Sequence, residues 1–281
     1  MLRDYAGPVS PALALTVSKV AAVQDWPDPN GQEPGNLFRD HRGAVKLADV
    51  IRVTGDAAWA ALLGPALETL PSRFPDGYLA LLLGPGLREN LVRDEIAAIL
   101  RGQVREDGFT VRTEYPEPEP MGDKPENHDL AVLDNTGVAV LELEAKALYS
   151  FDALVEGRRR DARGGMLQPT HRLTRHREAV ERLGPAAARG ETCFVLSLVT
   201  HIMGHARPGR FTYADVHNRE LARHASAEAM HQAAAERWDA DLPGACGPVA
   251  CHRPLPLGDA YEVPIWLDYY LIGPLLAAEA R

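Results

Sequence analysis

Eleven residues near the middle of the chain, Val138 to Leu148, restrict its fold more than any other stretch. The run is apolar except at Glu142, Glu144 and Lys146, which recur at every second position. Side chains alternate faces along a strand, so these three ionisable groups point the same way. A solvated edge would not be introduced by Val138-Ala139-Val140-Leu141; the pattern fits a buried strand that presents charge to a site. Just upstream, Asn135-Thr136-Gly137 has the chemistry of a hairpin turn and His128 to Leu133 that of a strand. Folding the two strands back to back sets Asp129, at the start of the earlier one, beside Glu144 and Lys146 near the end of the later one.

The period of the pattern changes on either side of this hairpin. From Arg88 to Arg101, Leu91, Val92, Glu95, Ile96, Ile99 and Leu100 share a helical face, with Gly102 as the expected stop. Phe109 to Tyr115 then alternates as a half-buried strand does, and a Pro- and Glu-rich loop follows from Pro116 to Pro125. After the hairpin, a helix is expected from about Met166 to Leu183, ended by Gly184-Pro185, and then a buried strand from Thr192 to Thr200. The predicted order is helix, three antiparallel strands, helix, strand, an α/β core with a mixed sheet over residues 88–203.

Residues 1–87 read as a helical N-terminal region, with helical spacing at Ala44 to Val53 and Asp56 to Thr69. Residues 204–281 read as a C-terminal extension packing on the core. It would hold one Ala-rich helix between about Arg219 and Trp238, and an apolar, helical-looking segment from Ile265 to Ala278. In that segment Trp266, Tyr269 and Tyr270 are expected as core or dimer contacts rather than base-stacking platforms.

Two or three converging carboxylates suit a hard divalent cation such as Mg²⁺. Such an ion polarises a phosphate oxygen and lowers the pKa of a bound water, while a neighbouring lysine orients that water or balances transition-state charge. The net charge of −9 argues against a protein that coats nucleic acid nonspecifically. Its local distribution matters more. Seven acids stand against two bases between Glu106 and Glu126, whereas Gly157 to Arg189 carries nine arginines and three acids.

Asn127-His128-Asp129, followed by Glu144-Ala145-Lys146, resembles the PD-(D/E)XK nuclease superfamily, the restriction-endonuclease-like proteins. The resemblance covers roughly residues 88–200. It implies a restriction-endonuclease-like α-β-β-β-α-β core and a Mg²⁺ (or Mn²⁺) dependent deoxyribonuclease serving restriction, repair or defence against foreign DNA. Asp129 and Glu144 would ligate the metal with the Ala145 carbonyl as a third oxygen, and Lys146 would handle the attacking water. A further acid from the preceding helix would be Glu95 or Glu89, with Glu95 favoured because it lies nearer the apolar face. Glu142 is an extra acid, read as an additional ligand or a partner for Lys146. Gln168 stands where some recombination-type members place a Gln, although His171 and Arg172 follow it here. His128 occupies a position where the superfamily often has Pro.

Arg158, Arg159, Arg160, Arg163, Arg172, Arg175 and Arg177 follow the catalytic strand and offer a surface for the DNA backbone, or a solvated charged face. Cys246, Cys251 and His252, with His201 and His205 upstream, match no tight zinc pattern, so the three cysteines read as small apolar residues without disulfides. No run approaches a bilayer span, and the Ala12 to Val17 stretch makes a poor signal peptide, so a cytoplasmic protein is expected. Partners would be DNA and either a second copy or an activating protein. Two rivals stand beside this reading: an inactive member of the fold that binds nucleic acid or protein, and an unrelated α/β protein whose acidic strand face is structural.

Overall fold

The computed structural model describes residues 56–86, 88–117, 127–155 and 173–275. Helices α1 (Asp56–Glu68), α2 (Tyr78–Leu83) and α3 (Glu89–Val104) precede a meander of β1 (Thr110–Pro116), β2 (Asn127–Leu133) and β3 (Ala139–Tyr149). A short helix α4 (Phe151–Leu154), helix α5 (Thr174–Ala188) and strand β4 (Thr192–Ile202) follow. The chain continues through α6 (Ala214–Leu221), α7 (Ala227–Cys246), β5 (Val249–Ala260) and β6 (Val263–Ile272). The result is an α/β arrangement on one mixed six-stranded sheet, ordered β1-β2-β3-β4-β6-β5. Every neighbouring pair is antiparallel except β3 with β4, which run parallel.

The hairpin at Asn135-Thr136-Gly137 forms as its sequence dictates. Asp134 Oδ1 accepts from the Thr136 and Val138 amides, and Gly137 takes the positive φ of 86° that such a turn needs. Helix α3 does not stop at Gly102; it runs to Val104, a 3₁₀ turn follows, and Gly108 at φ 87° ends the segment. Helix α5 likewise passes through Gly184-Pro185, because a proline in the last turn forfeits only one backbone hydrogen bond. The single Ala-rich helix is two, α6 and α7, and Ser226 caps the second by accepting from the Ala229 amide at 3.2 Å.

The last apolar segment is a strand, β6, and not a helix. A strand buried on both faces shows a nearly continuous apolar run that short windows cannot tell from a helix. Val263, Ile265, Leu267, Tyr269 and Leu271 join the core under α1, α2 and α3, while Tyr270 and Ile272 join that under α5 and α7. Tyr269 and Tyr270 are wholly buried. Through β6 and β5 the C-terminal residues extend the sheet itself. Among the described residues no helix is long and apolar enough to cross a membrane.

The two faces of the sheet differ in kind. Leu141, Leu143, Ala145, Ala147 and Tyr149 of β3, with Phe194, Leu196 and Leu198 of β4, make one face uniformly apolar. On the opposite face the same strands carry Glu142, Glu144, Lys146, Ser197 and His201, and β6 adds Asp268, all buried. Burying six polar side chains on one side of a sheet is expensive unless each finds a partner.

Candidate functional site

Strands β2 and β3 are paired from Leu133↔Ala139 to Leu130↔Leu143 and no further. Beyond that point β3 still has backbone groups facing its former neighbour, and side chains take over the ladder. Asp129 Oδ2 accepts from the Ala145 amide at 2.8 Å, and Glu89 Oε2, from the first turn of α3, accepts from the Ala147 amide at 2.8 Å. The Ala145 carbonyl accepts from Lys146 Nζ at 2.5 Å, and the Ala147 carbonyl from Arg175 at 3.2 Å. The gap between the strands is thus lined by the residues that the sequence singled out.

Lys146 stands at its centre, 5% exposed. Its Nζ lies 2.9 Å from Glu144 Oε2, 3.6 Å from Asp129 Oδ2 and 3.6 Å from Glu89 Oε1. Asp129 and Glu144 therefore converge on one nitrogen, as the hairpin register requires. Arginines close the rim: Arg182 of α5 reaches Glu144 Oε2 at 2.6 Å, Arg175 reaches Glu89 Oε2 at 3.2 Å, and Arg93 of α3 lies 3.7 Å from Asp129 Oδ1. Burial, reinforced by the Asp129 charge, holds the Glu144 carboxyl above the ordinary Glu value despite Lys146 and Arg182. Its Oε1 is buried without a hydrogen bond. That orphaned acceptor, beside Asp129 and the Ala145 carbonyl, fits an oxygen-ligand set for a hard divalent ion.

Two expectations need correction. Glu95 is not at the gap: it ion-pairs with Arg73 at 2.9 Å on the outer side of α3. Six residues along a helix leave the two side chains about 120° apart around its axis, so Glu89 and Glu95 cannot serve one site, and Glu89 is the helix acid present. Glu142 does not reach Lys146. It lies two residues back along β3, wholly buried, and contacts His128 Nδ1, while Glu117 lies 3.3 Å from His128 Nε2. Arg189 ties this second group together, 2.6 Å from Glu117, 2.7 Å from Glu191 and 3.9 Å from Glu142. Burial draws the His128 imidazole down, but its hydrogen bond to Glu142 and the charges of Glu142, Glu144 and Glu117 outweigh that and hold it above its ordinary value. Glu191 is pushed up to about 7, first by burial and then by its hydrogen bond to Glu142.

Of the proposed DNA-contacting arginines, Arg175 lies at the gap with its side chain 43% exposed. Arg158, Arg159, Arg160, Arg163 and Arg172, together with Gln168, fall outside the described residues. Sequence reasoning did not single out Arg182, Arg189 or Arg93. A signal for the first two was present: Arg175, Arg182 and Arg189 follow one another at seven-residue intervals, a single stripe along α5. That stripe meets Glu89, Glu144, and the Glu117–Glu142 pair in turn.

Among the described residues, two other groups bring potential ligand atoms within 4.8 Å of one another: Glu117, His128 and Glu142, and His201, His231 and Asp268. In the first, the Arg189 guanidinium already supplies the cation. Compared with protein-family models, curated proteins and solved structures, the chain gives no match.

Proposed function

We propose that the chain is a Mg²⁺- or Mn²⁺-dependent nuclease acting on DNA, with a restriction-endonuclease-like core running from α3 through β1, β2, β3 and α5 to β4. The observation that carries this reading is the opening between β2 and β3, where Asp129, Glu144 and Lys146 meet at one point with Glu89 beside them. The helix-strand order and the parallel β3–β4 pair support the same core. Asp129, Glu144 and the Ala145 carbonyl would hold the metal, which when bound polarises a phosphoryl oxygen and acidifies a water.

The chain's own residues supply the rest. Lys146 brings an ammonium into a place with little solvent, where it orients a nucleophilic water and offsets charge building on the phosphate oxygens. Glu89 fixes both the end of β3 and, through Arg175, the near edge of the gap. Arg175 and Arg182 are the partly exposed cations at its mouth, placed to receive phosphates without reading sequence.

One observation favours the rival, a non-cleaving module of the same fold. The three carboxylates already face Lys146, Arg93, Arg175 and Arg182, a balance that needs no metal to hold the site together. Incubation with plasmid, linear and single-stranded DNA plus Mg²⁺ or Mn²⁺ separates the two. Cleavage by the wild type, lost in folded Lys146→Ala and Asp129→Ala, is the expected result. Binding without cleavage under either cation selects the module.

A further inference from the structure

A separate cluster lies on the same buried face of the sheet, four strand positions from the nuclease-like gap. Asp268 on β6 is paired with Val199 on β4 and with Pro254 on β5. His201 and His252 each sit two positions along the neighbouring strand, the diagonal positions from which long side chains reach one another. His231 comes from α7, packed over them. All three imidazoles direct Nε2 at one atom, Asp268 Oδ2, at 3.2 Å for His201, 3.2 Å for His231 and 3.6 Å for His252.

Hydrogen bonding does not account for this convergence. A carboxylate oxygen has two lone pairs, yet three ring nitrogens face Oδ2 while Oδ1 is buried with no hydrogen bond. Both nitrogens of His201, which is 1% exposed, and Nε2 of His252 are also buried without one. Among the described residues His231 makes the well-aligned hydrogen bond to Asp268, while His201 and His252 face it as ion-pair contacts. Buried polar atoms in folded proteins are almost always satisfied, so four orphans within one cluster point to something that they hold in common.

We propose that His201, His231, His252 and Asp268 form a four-ligand site for a divalent transition metal, with zinc the expected occupant, that fastens β5, β6 and α7 to β4. Bonds of about 2.0–2.2 Å in a tetrahedral shell set ligand atoms about 3.3–3.6 Å apart; the ligand atoms of His201, His231 and Asp268 lie within 4.8 Å of one another, and His252, 3.6 Å from Asp268 Oδ2, is the fourth that an ion would draw in. Imidazoles suit zinc and its neighbours in the transition series, whereas Mg²⁺ prefers oxygen and water. With His252 drawn in, four protein ligands would leave no open position, the mark of a structural site rather than a hydrolytic one. Asp239 Oδ1, 3.8 Å from His252 Nδ1, is placed to orient that ring from outside. An open cleft of about 400 Å³, lined by His231, Trp266, Gln232 and Met203, reaches the cluster at His231. Cys246 and Cys251 take no part; Cys251 Sγ faces Tyr269 on the apolar side.

The test is metal content of the full chain purified without chelators, followed by Co²⁺ loading of chelator-stripped protein. We expect one equivalent of zinc or a related ion per chain, and on Co²⁺ addition the intense visible band of four-coordinate cobalt. His252→Gln, at the most exposed ligand, should keep the fold by circular dichroism and weaken Co²⁺ uptake by more than about tenfold, while Cys246→Ser with Cys251→Ser should retain the band. Folded wild-type protein that carries no transition metal and gives no such band overturns the proposal, as does a band lost with the cysteines. The wild-type measurement decides the matter even where a histidine variant does not fold, and it is independent of any nuclease activity.

Discussion

The β3 cluster and the β6 cluster occupy one face of one sheet but balance their charge by different means. Around β3, fixed cations meet the acids: Lys146 from the strand itself, Arg93, Arg175 and Arg182 from two helices at the gap, and Arg189 at the end of α5 behind it. Around β6, one aspartate has three imidazoles as its ion-pair partners. Arginine keeps its charge at any working pH, so the first cluster, ringed by arginines, holds its shape with or without a divalent ion. Imidazole is uncharged over most of that range, and the second cluster gains its full positive complement only from protons or a metal. Reversible, weak cation binding is expected at the first and tight, structural binding at the second.

The sharpest way to break this contrast is Lys146→Ala. A lysine that handles the attacking water contributes about 10²–10⁴-fold to rate. Cleavage should drop by that factor, read as kcat/KM on plasmid DNA, while Co²⁺ uptake at the histidine cluster is unchanged. A variant that cleaves as well as the wild type would make Lys146 a purely structural counter-ion.

Stability sharpens it further. Glu144→Ala removes the buried carboxylate nearest Lys146 and leaves that ammonium only Asp129 and Glu89 at 3.6 Å, and breaking a buried pair costs up to about 3–5 kcal/mol. Urea denaturation should show that loss. Chelation should separate the clusters by sign. Stripping transition metal should lower the wild-type Tm, and adding millimolar Mg²⁺ to the stripped protein should raise it only through the β3 gap, an increment absent in Asp129→Ala.

How much of this was legible beforehand follows from what each element depends on. The hairpin, the face shared by Glu144 and Lys146, and the position of Asp129 follow from strand alternation and turn chemistry, both local in sequence. Glu89 was misjudged for Glu95 because the apolar face of a helix indicates where the core lies, not where the helix meets the end of a strand. Glu142 went to His128 and Arg189 because partners reached it from β2 and from the end of α5, neither visible along β3. Of the histidine cluster, His201 and His252 were weighed as zinc ligands and set aside, because their partners His231 and Asp268 come from α7 and β6; read as a helix, the last segment sets Asp268 against nothing. Cysteine spacing drew the zinc question to Cys246 and Cys251, which the fold leaves aside.

The group behind β3 gives a pH test of the idea that fixed charges hold that cluster. Glu191 is raised from 4.5 to about 7. A carboxyl raised on folding contributes stability that is fully present below its unfolded value and is lost as pH rises through its folded one. His128, also raised, has the same sign: its stabilising charge disappears as pH climbs past its elevated value. Tm should therefore fall between about pH 5 and pH 8, and Glu191→Gln, which cannot ionise, should flatten that slope. A Tm that rises over this interval would mean that Arg189 outweighs burial at Glu191.

The smallest effect separates the two helix acids. Glu89 accepts from a β3 amide and an arginine at the gap, so Glu89→Gln should reduce cleavage while leaving the fold intact. Glu95 meets Arg73 across a surface where both side chains are well exposed, at 29% and 44%. Such pairs contribute about 0–1 kcal/mol, because water screens the attraction and two long side chains must be ordered to form it. Glu95→Ala should accordingly shift stability by no more than about 0.5 kcal/mol and leave cleavage at the wild-type rate. If Glu95→Ala instead lowers kcat and Glu89→Gln does not, then α3 must turn by about a third of a revolution in the working enzyme, and the gap described between β2 and β3 is not the place where the reaction occurs.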